Sequence, residues 1–305
     1  MKTILITAAN GMFGSKTAEV LAADPSVHLR LMMRDPAKCR IKGPHVEIRQ
    51  VDFDRPDTME DCFRGVDSVF LVSPMDPRMT ERENAMVELC VRHGVKSIVK
   101  MAGAVKHEDE LSRMHGAVLD KVKASGAEWA LVSPNSVMET TLLPYVETIR
   151  TARAIFSCAA DARVGLVSLK NVAEITAMVL STPGHHAKDY VLTGPRSLTL
   201  TEVAAAFTSV LGKKIDYVDL SEEDFTRLLM KYDKSLTPER VELEVLCHMR
   251  AWKQGGADVV SDTYRQLTGR EPMSVEDFIR DNLSLYKKGM MPSFMVRSVR
   301  KSMLK

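Results

Sequence analysis

The chain has few cysteines and no cysteine pair. The five that occur are odd in number, widely spaced and never arranged as Cys-x-x-Cys; they are Cys39, Cys62, Cys90, Cys158 and Cys247. This pattern argues against a disulfide framework and against a structural zinc site. We therefore predict that the protein holds no metal.

The sequence also lacks an excess of charge and a long apolar run. Lys and Arg number 42, Asp and Glu number 40, and the formal net charge is +2. Such a balance gives no general electrostatic attraction to nucleic acid or to a membrane surface. No apolar segment approaches the roughly 18 residues that a membrane span needs. We therefore expect neither nucleic acid nor a membrane among the partners.

Two more absences bear on the location of the protein and on its class of activity. Met1 leads directly into a strand-like segment, without a basic and then apolar leader, so a cytoplasmic location is expected. No Gly-x-Ser-x-Gly motif occurs, so a hydrolase would lack its nucleophile. What is present is an ordinary globular composition, because 305 residues with 45% apolar side chains suffice for one or two domains with a sizeable core.

Short apolar strands alternate with helical segments in the first half of the chain. The predicted strands are 3–7, 27–33, 46–51, 68–72, 97–101 and 128–132. The predicted helices between them are 14–23, 59–64, 80–93 and 116–125. Such alternation is typical of right-handed βαβ crossovers, which build a parallel sheet covered by helices on both faces. We predict an α/β fold with a doubly wound parallel (Rossmann) sheet.

The alternation ends after Pro134. A helix over 201–211 and a short strand at 215–219 are followed by predicted helices at 221–232, 238–254, 261–268 and 274–287. We predict a first domain over residues 1–155, to whose sheet residues 163–195 return. Residues 196–305 would form a smaller, mostly helical cap and a C-terminal tail. In open parallel sheets, ligands bind at the carboxyl ends of the strands.

A glycine-rich turn joins the first predicted strand to the first helix. Gly11 lets the backbone approach a diphosphate, Gly14 lets the helix pack closely on the strand, and the helix N-terminus offers free N–H groups. The turn therefore predicts a bound dinucleotide. The expected contacts in the turn are Thr7, Asn10, Gly11, Met12, Phe13 and Gly14.

Ala8 departs from the usual dinucleotide loop, which has glycine at this position for the tight turn. An alanine Cβ is costly if that backbone needs a positive φ. The alternative is a plain strand-to-helix turn in a protein that has lost its cofactor. We favour the dinucleotide because the turn follows a buried strand and begins a helix.

The end of the second strand bears on which dinucleotide binds. NAD-binding proteins usually place Asp or Glu there to bond the ribose hydroxyls. This chain has Met32 and Met33, which cannot do so, and then Arg34 and Lys38, which can hold a 2′-phosphate. NADPH is therefore predicted, and NADH is less favoured. Asp35 is the counter-argument, since it could neutralise Arg34 or merely cap a helix.

Several short motifs occur in a fixed order along the chain. They are 7–14, 34–38, 51–54, 65–67, 99–101, 125–126, 133–135, 192–195 and 267–272 with Phe278. This ordered set resembles the NmrA-like atypical short-chain dehydrogenase/reductase family, and its end resembles the quinone- and dye-reductase branch. The resemblance covers residues 3 to about 285. It implies the fold predicted above and binding of NAD(P)H, with either reductase activity or non-catalytic redox sensing.

The resemblance also implies contacts after the strand ends. Those to the adenine would be Asp52 and Phe53, and those to the middle of the cofactor Val72, Ser73 and Pro74. Those near the nicotinamide would be Met101 and Ala102. The substrate side would be walled by Pro134, Asn135, Ser136 and Met138, of which Pro134 would also contact the cofactor. For Met101 and Met138 the alternative is simple core packing.

The usual proton donor of short-chain dehydrogenases is missing. Its Tyr-x-x-x-Lys pair would fall on Leu111 and His115, and the His-x-x-x-Glu pattern of related dye and quinone reductases fails at Leu119. His115 is therefore the candidate catalytic residue, because histidine can donate a proton near neutral pH. The alternative is a histidine that holds only a ribose hydroxyl or a water molecule.

Three other features have two interpretations each. Lys100 lies in a buried strand, where it is either structural or approaches the ribose. His107 lies in a polar loop that is either a mobile lid or simply solvated. The basic segment 290–305 is either a loosely docked terminal helix, which we favour, or a partner-binding or membrane-surface helix.

A hydride donor without a strong acid suits electron-poor acceptors such as quinones, iminium ions and conjugated imines. We therefore predict an NADPH-dependent oxidoreductase, monomeric or homodimeric, that acts on a small molecule held by the cap. One alternative is a non-catalytic NADP(H)-binding redox sensor. Another is a protein without any cofactor.

Overall fold

A computed structural model describes residues 1–105 and 110–303. The strands in this part of the chain are β1 (Lys2–Ile6), β2 (Val27–Met33), β3 (Val46–Gln50), β4 (Ser68–Leu71), β5 (Ser97–Met101), β6 (Glu128–Pro134), β7 (Ala154–Ser157), β8 (Arg163–Val164), β9 (Lys188–Leu192), β10 (Leu198–Thr199) and β11 (Asp216–Asp219). The α-helices are α1 (Met12–Leu21), α2 (Met79–Arg92), α3 (Glu110–Ala124), α4 (Met138–Leu142), α5 (Val146–Ala152), α6 (Leu169–Ser181), α7 (Leu200–Leu211), α8 (Glu222–Tyr232), α9 (Pro238–Val241), α10 (Cys247–Lys253), α11 (Thr263–Thr268), α12 (Val275–Asp281), α13 (Leu283–Lys287) and α14 (Ser293–Met303).

The described residues fall into two compact units. The first unit comprises Met1–Gly103, Glu110–Pro134 and Leu169–Val191. The second comprises Asn135–Ser168, Leu192–Lys305 and Ala104–Asp109, as far as these ranges are described. A compact unit is not by itself a domain that folds alone, so the domain boundaries at residues 155 and 196 stay predictions.

A seven-stranded sheet forms the centre of the first unit. Its strand order is β3-β2-β1-β4-β5-β6-β9, and the order reverses between β1 and β4. The pairs β1–β2, β2–β3, β1–β4, β4–β5 and β5–β6 are parallel. Helix α1 packs beside α6, and α2 packs beside α3. The predicted doubly wound parallel sheet is therefore confirmed.

Burial on both faces explains the uninterrupted apolar run of the central strand β1. The side chains of Ile4, Leu5 and Ile6 in β1 are all fully buried. Strands covered by helices on both faces lose the alternation of polar and apolar residues seen in half-exposed strands. The apolar runs that predicted the sheet are thus a direct consequence of the helices that cover it.

The second unit contains more than the predicted helices. Strand β7 pairs in parallel with β11, and β8 pairs in antiparallel with β10. These strands have two to four residues each, which is too short for a clear hydrophobic period. Of the four, only β11 was expected from the sequence.

Several helix predictions differ from the structure in their bounds. The segment predicted as a helix over 59–64 forms only the 3-10 turn Glu60–Cys62. A π-helical turn, Glu242–Leu246, divides the helix predicted over 238–254, and Asn282 divides the one predicted over 274–287. Helix α3 begins at residue 110 rather than 116. A π turn holds more residues than an α turn, and a 3.6-residue pattern does not reveal it.

Helix α1 comes unusually close to β1. A Cβ atom built on Gly14 would lie 2.3 Å from the carbonyl oxygen of Ala8 and 3.1 Å from the Cα of Ala9. Both contacts are with backbone, which cannot swing aside as a side chain can. Glycine at position 14 is therefore required by the packing of the helix against the end of the strand, as the sequence predicted.

The C-terminal helix α14 docks within the second unit. Arg300 donates to the carbonyl oxygens of Ala152 at 2.5 Å and Arg153 at 2.6 Å, and its guanidinium lies 2.8 Å from the carboxylate of Asp216. It thereby satisfies carbonyl groups that the end of α5 leaves without helical partners. Met303 packs in a cluster with other apolar residues of the unit. The helix is more firmly held than the expected loose docking.

Replacing Gly14 tests the close helix approach. We expect Gly14→Ala to lower the free energy of unfolding by about 2 kcal/mol, because the new Cβ overpacks the backbone of Ala8. The matched control is Gly116→Ala in α3, where no described atom lies within 4 Å of the new Cβ. That control should be neutral or stabilising by up to about 1 kcal/mol. Urea unfolding measures both, and equal effects of the two changes would contradict the close approach.

Replacing Arg300 tests the docking of α14. We expect Arg300→Ala to cost about 2 kcal/mol of unfolding free energy at neutral pH, because it removes charged, partly buried hydrogen bonds to the carbonyl groups at the end of α5. Arg297→Ala is the control, since Arg297 is exposed on the same helix and should change stability by less than about 0.5 kcal/mol.

The loss of unfolding free energy in Arg300→Ala should depend on pH. Partial burial raises the pKa of Asp216, but hydrogen bonds from Arg300 and Lys214 outweigh it and hold that pKa below its usual value. A depressed folded pKa contributes stability above the unfolded value of about 4, and this is lost as pH falls. The difference between wild type and Arg300→Ala should therefore narrow as pH falls below about 4 in unfolding experiments. A difference that widens there would show that the Asp216 pair does not stabilise the protein.

Candidate functional site

The N-terminus of α1 has no side-chain cap. Gly11 is the N-cap residue, with extended backbone at φ −74° and ψ 166°, and no side chain accepts from the first helical N–H groups. The first turn contains no acidic residue. Uncapped N–H groups and the positive end of the helix dipole make this position suitable for an anion such as a diphosphate.

Ala8 fits the turn without strain. Among the described residues other than glycine, only Arg153, Ala160 and Ala187 have a positive φ, so Ala8 does not. Its carbonyl oxygen accepts from the N–H of Gly11 at 2.8 Å and closes the turn. The objection to alanine at this position therefore does not apply to this chain, because the backbone there is in a region open to any residue.

Thr7 and Asn10 join the turn to neighbouring strands. The fully buried Thr7 hydroxyl lies 3.0 Å from the carbonyl oxygen of Phe70 and 2.5 Å from that of Val72, and it accepts from the Val72 N–H at 2.8 Å. The Asn10 amide donates to the carbonyl oxygen of Asp35 at 3.1 Å. These bonds fix the turn against β4 and the end of β2. A contact of either side chain with a nucleotide stays a prediction.

The two basic residues after β2, Arg34 and Lys38, differ in whether they form an ion pair. The ammonium group of Lys38 lies 3.5 Å from the carboxylate of Asp35, which also caps a 3-10 turn by accepting from the Ala37 N–H. Arg34 is exposed, and its guanidinium forms no ion pair within the described residues. Asp35 therefore does not neutralise Arg34, and Arg34 is the more available cation.

The residues predicted to contact adenine are positioned by their own loop. Asp52 accepts from the N–H of Asp54 at 3.0 Å, and its own N–H donates to Thr58 at 3.1 Å. Phe53 is 9% exposed and packs in the core of the first unit. Only a small part of the Phe53 ring is therefore accessible to a ligand.

A charged cluster that the sequence did not reveal joins the loops after β3 and β4. Arg82 donates to Asp54 at 2.7 Å and to Asp76 at 2.6 Å, and Arg78 lies 2.9 Å from Asp54. The hydrogen bond from Arg82 lowers the pKa of Asp54. These residues look like solvated charges in the sequence, and only the fold brings the two loops together.

A second group lies beneath the ends of β4 and β5, and the sequence analysis named its Lys100 and Ser73 but missed Glu83, which joins them. Glu83 is 2% exposed and Lys100 is 1% exposed, and their charged groups are 2.5 Å apart. Glu83 also accepts from the Ser73 hydroxyl at 3.0 Å. Lys100 also donates to the carbonyl oxygen of Met101 at 3.2 Å. The lysine is therefore paired, as a buried lysine must be.

The sequence did contain a signal for Glu83. The buried side chains of α2 recur at helical spacing, and Glu83 occupies one of these positions between Met79 and Met86. A carboxylate on an apolar helix face requires a partner. Together with the unexplained lysine in β5, it could have indicated the ion pair.

The remaining candidates of the first unit lie near the ends of β5 and β6. Met101 is 6% exposed, and the N–H of Ala102 donates to the carbonyl oxygen of Val132 at 2.9 Å. Pro134 is buried at the end of β6. His115 is half-buried on α3, with its Nδ1 atom buried. The predicted loop residue His107 lies outside the described residues.

The two predicted substrate contacts belong to the second unit. Asn135 is 3% exposed, donates to the carbonyl oxygen of Ala257 at 2.9 Å and accepts from the Ser136 N–H at 2.7 Å. Met138 is fully buried in the apolar core of that unit. The polar atoms of Asn135 thus hold a loop in place, and a role for either residue in substrate binding stays a prediction.

A groove of about 550 Å³ lies at the amino ends of the strands of the first unit. Its lining includes Lys2, Ser97, Glu128 and Trp129. The candidates above lie at the opposite, carboxyl ends of the same strands. The position of the groove therefore gives it no part in a dinucleotide site.

Metal and membrane features were also sought in the described ranges. In residues 1–105 and 110–303, no group of three or more His, Cys, Asp or Glu side chains is placed to hold a metal ion. No helix in the same ranges has both the length and the apolar character needed to cross a membrane.

Two curated proteins similar to this chain are named as reductases. An NAD(P)H azoreductase from Xenophilus azovorans is 27% identical over 289 residues, which cover 93% of this chain and 99% of that protein. A (4-alkanoyl-5-oxo-2,5-dihydrofuran-3-yl)methyl phosphate reductase from Streptomyces griseus is 29% identical over 287 residues, with coverage of 93% and 99%.

Solved structures share the fold. An NADPH-dependent quinone oxidoreductase from Escherichia coli, complexed with NADPH, aligns with a TM-score of 0.83 at 23% identity and covers 92% of this chain and 99% of its own. The triphenylmethane reductase of Citrobacter sp., complexed with NADP(H), aligns with a TM-score of 0.81 at 21% identity, with coverage of 91% and 99%.

The family resemblance seen in the sequence is confirmed. The model of the NmrA-like family matches residues 1–279, which is most of the 305-residue chain. The uncapped turn before α1, the switch in strand order and the ordered motifs agree with that match. This chain therefore belongs to the NmrA-like family.

Proposed function

We propose that this protein is an NADPH-dependent oxidoreductase that passes hydride to a small, electron-poor organic molecule. The observation that carries the proposal is the uncapped N-terminus of α1, held against β1 by the close approach at Gly14. The similar azoreductase and the dihydrofuranyl phosphate reductase support it by their names.

The residues present fit a dinucleotide at the carboxyl ends of the strands. The N–H groups at the start of α1 would bind the diphosphate, Gly11 would let the backbone approach it, and Gly14 holds the helix against the end of the strand. Arg34 would bind the 2′-phosphate, because its guanidinium is exposed and forms no ion pair with any described carboxylate. When bound, the nicotinamide supplies the hydride.

The choice of substrate class rests on the absence of the usual tyrosine–lysine proton donor. The chain has no Tyr-x-x-x-Lys pair at the usual place, so an acceptor that needs little protonation is favoured. The names of the relatives indicate azo and unsaturated lactone substrates, and those of the solved structures indicate quinone and triphenylmethane substrates. These compounds are all conjugated acceptors. His115 would donate the proton that a quinone or azo group takes up with the hydride.

Arg34→Ala tests the preference for NADPH. We expect the Kd for NADPH to rise about 10- to 100-fold, because a charged hydrogen bond to the 2′-phosphate is lost, while the Kd for NADH stays within about twofold. Nicotinamide fluorescence titration measures both constants. Arg40→Ala is the control, since Arg40 is exposed just beyond the turn that holds Lys38. Equal weakening of NADPH and NADH would show that Arg34 does not bind the 2′-phosphate.

His115→Gln tests the proton donor. We expect kcat with a simple quinone and saturating NADPH to fall about 100-fold, because a general acid contributes on that order, while the Kd for NADPH stays near the wild-type value. His186→Gln, at an exposed histidine, is the control. A raised Kd with an unchanged kcat would mean that His115 only binds the cofactor. A wild-type protein that binds NADPH tightly and turns over no quinone, azo or imine compound would be a sensor instead.

A further inference from the structure

We infer that the buried Glu83–Lys100 pair makes the Ser73 hydroxyl donate its proton to Glu83. The Ser73 oxygen is then left to accept a hydrogen bond from the nicotinamide riboside half of the cofactor. Glu83 and Lys100 are positioning residues in this arrangement, and Ser73 makes the contact. The inference rests on the proposed function, because it requires a bound dinucleotide.

The three side chains form a continuous chain of hydrogen bonds. Lys100 Nζ lies 2.5 Å from Glu83 Oε2, and Ser73 Oγ lies 3.0 Å from Glu83 Oε1. The side chains of Lys100 and Glu83 are 1% and 3% exposed. Ser73, by contrast, is only half-buried. Ser73 is thus the point at which this buried group meets the surface.

The ion pair decides which way the Ser73 proton points. A carboxylate paired with an ammonium group carries no proton and can only accept hydrogen bonds. Ser73 must therefore donate its single proton to Glu83, which leaves only its oxygen lone pairs for a ligand. Such a group recognises hydrogen-bond donors, and the riboside half of the cofactor offers ribose hydroxyls and a carboxamide NH₂.

The position of Ser73 agrees with this role. Ser73 lies two residues beyond β4, and the preceding residue, Val72, is bonded through its N–H to Thr7 at the end of β1. Lys100 also holds the carbonyl group of Met101 at the end of β5. The chain of bonds therefore runs along the carboxyl ends of three adjacent strands, where dinucleotides bind in this type of sheet.

A buried ion pair is a poor device for stability alone. Removing two charges from water costs free energy that their attraction often does not recover, and apolar replacements of such pairs are often neutral or stabilising. The carboxylate on the buried face of α2 neutralises the buried lysine of β5, so it is the presence of the pair as a whole that stability does not explain. A role in orienting a polar group that meets a ligand gives this pair a function.

The experiment compares binding of whole and partial cofactor. The probes are NADPH, NADH and adenosine 2′,5′-bisphosphate, which lacks the nicotinamide riboside, and calorimetry measures each Kd. We expect Ser73→Ala to raise the Kd for NADPH about fivefold, the equivalent of one neutral hydrogen bond, and to leave that for the bisphosphate within about twofold. Thermal unfolding of each variant confirms that it is folded.

Glu83→Gln tests whether the carboxylate of Glu83 fixes the direction of the Ser73 hydroxyl. The Lys100 ammonium would hold the amide oxygen, so the amide NH₂ would face Ser73 and donate to it. The Ser73 proton would then no longer be held by residue 83 and could point at the donor group of the ligand. The Kd for NADPH should therefore rise about two- to fivefold, with little change for the bisphosphate. The control is Glu88→Gln on the same helix, where Glu88 pairs with Lys121 at the surface.

The double variant tests whether Glu83 affects NADPH binding through Ser73 or by another route. If Glu83 acts through Ser73, Ser73→Ala combined with Glu83→Gln should weaken NADPH no more than either change alone. The inference would be overturned if the two changes raised the Kd for NADPH additively, or if they weakened binding of NADPH and of the bisphosphate equally. An unchanged Kd for NADPH in Ser73→Ala would also overturn it. A wild-type protein that binds neither NADPH nor NADH would instead overturn the proposed function.

Discussion

The contact between the first helix and the first strand is the constraint on which the candidate site depends. Gly14 places α1 so near the carbonyl group of Ala8 that no side chain fits between them. This contact fixes where the N–H groups of the helix point. The bonds from Thr7 to β4 and from Asn10 to the end of β2 then fix the turn in relation to its two neighbouring strands. A looser helix would leave the anion-binding groups without a defined direction.

Hydrogen bonds join neighbouring strands along the carboxyl ends of the sheet. Side chains from loops bind the backbone of a neighbouring strand end, as Thr7 does with Val72 and Asn10 does with Asp35. Each such bond links elements that are far apart in the chain, so the edge behaves as one connected surface. Because the polar groups are already fixed, a ligand would meet a preorganised site, and less binding free energy is lost in ordering it.

The sequence predicted the parallel sheet well because buried strands are continuously apolar and are separated by helices. The uncapped turn before α1 followed from two glycines. Other features depend on contacts between distant residues and leave no local trace. Strand β7 is four residues long and pairs with β11, about sixty residues later, and the cluster of Arg82 with Asp54 and Asp76 forms only when two loops meet. The doubt about Ala8 came from an average preference, whereas the backbone angle at that residue decides the matter.

The docking of α14 has a practical consequence. Its Met303 belongs to a small apolar cluster with Ala154, Phe156 and Leu228, which the helix covers in part. A shortened chain ending before Ser293 would present that cluster to water and leave the carbonyl groups at the end of α5 without the arginine that binds them. Exposed apolar patches promote association. Shortened recombinant forms of this protein should therefore collect in insoluble material, and affinity tags are better attached after the last helix than in place of it.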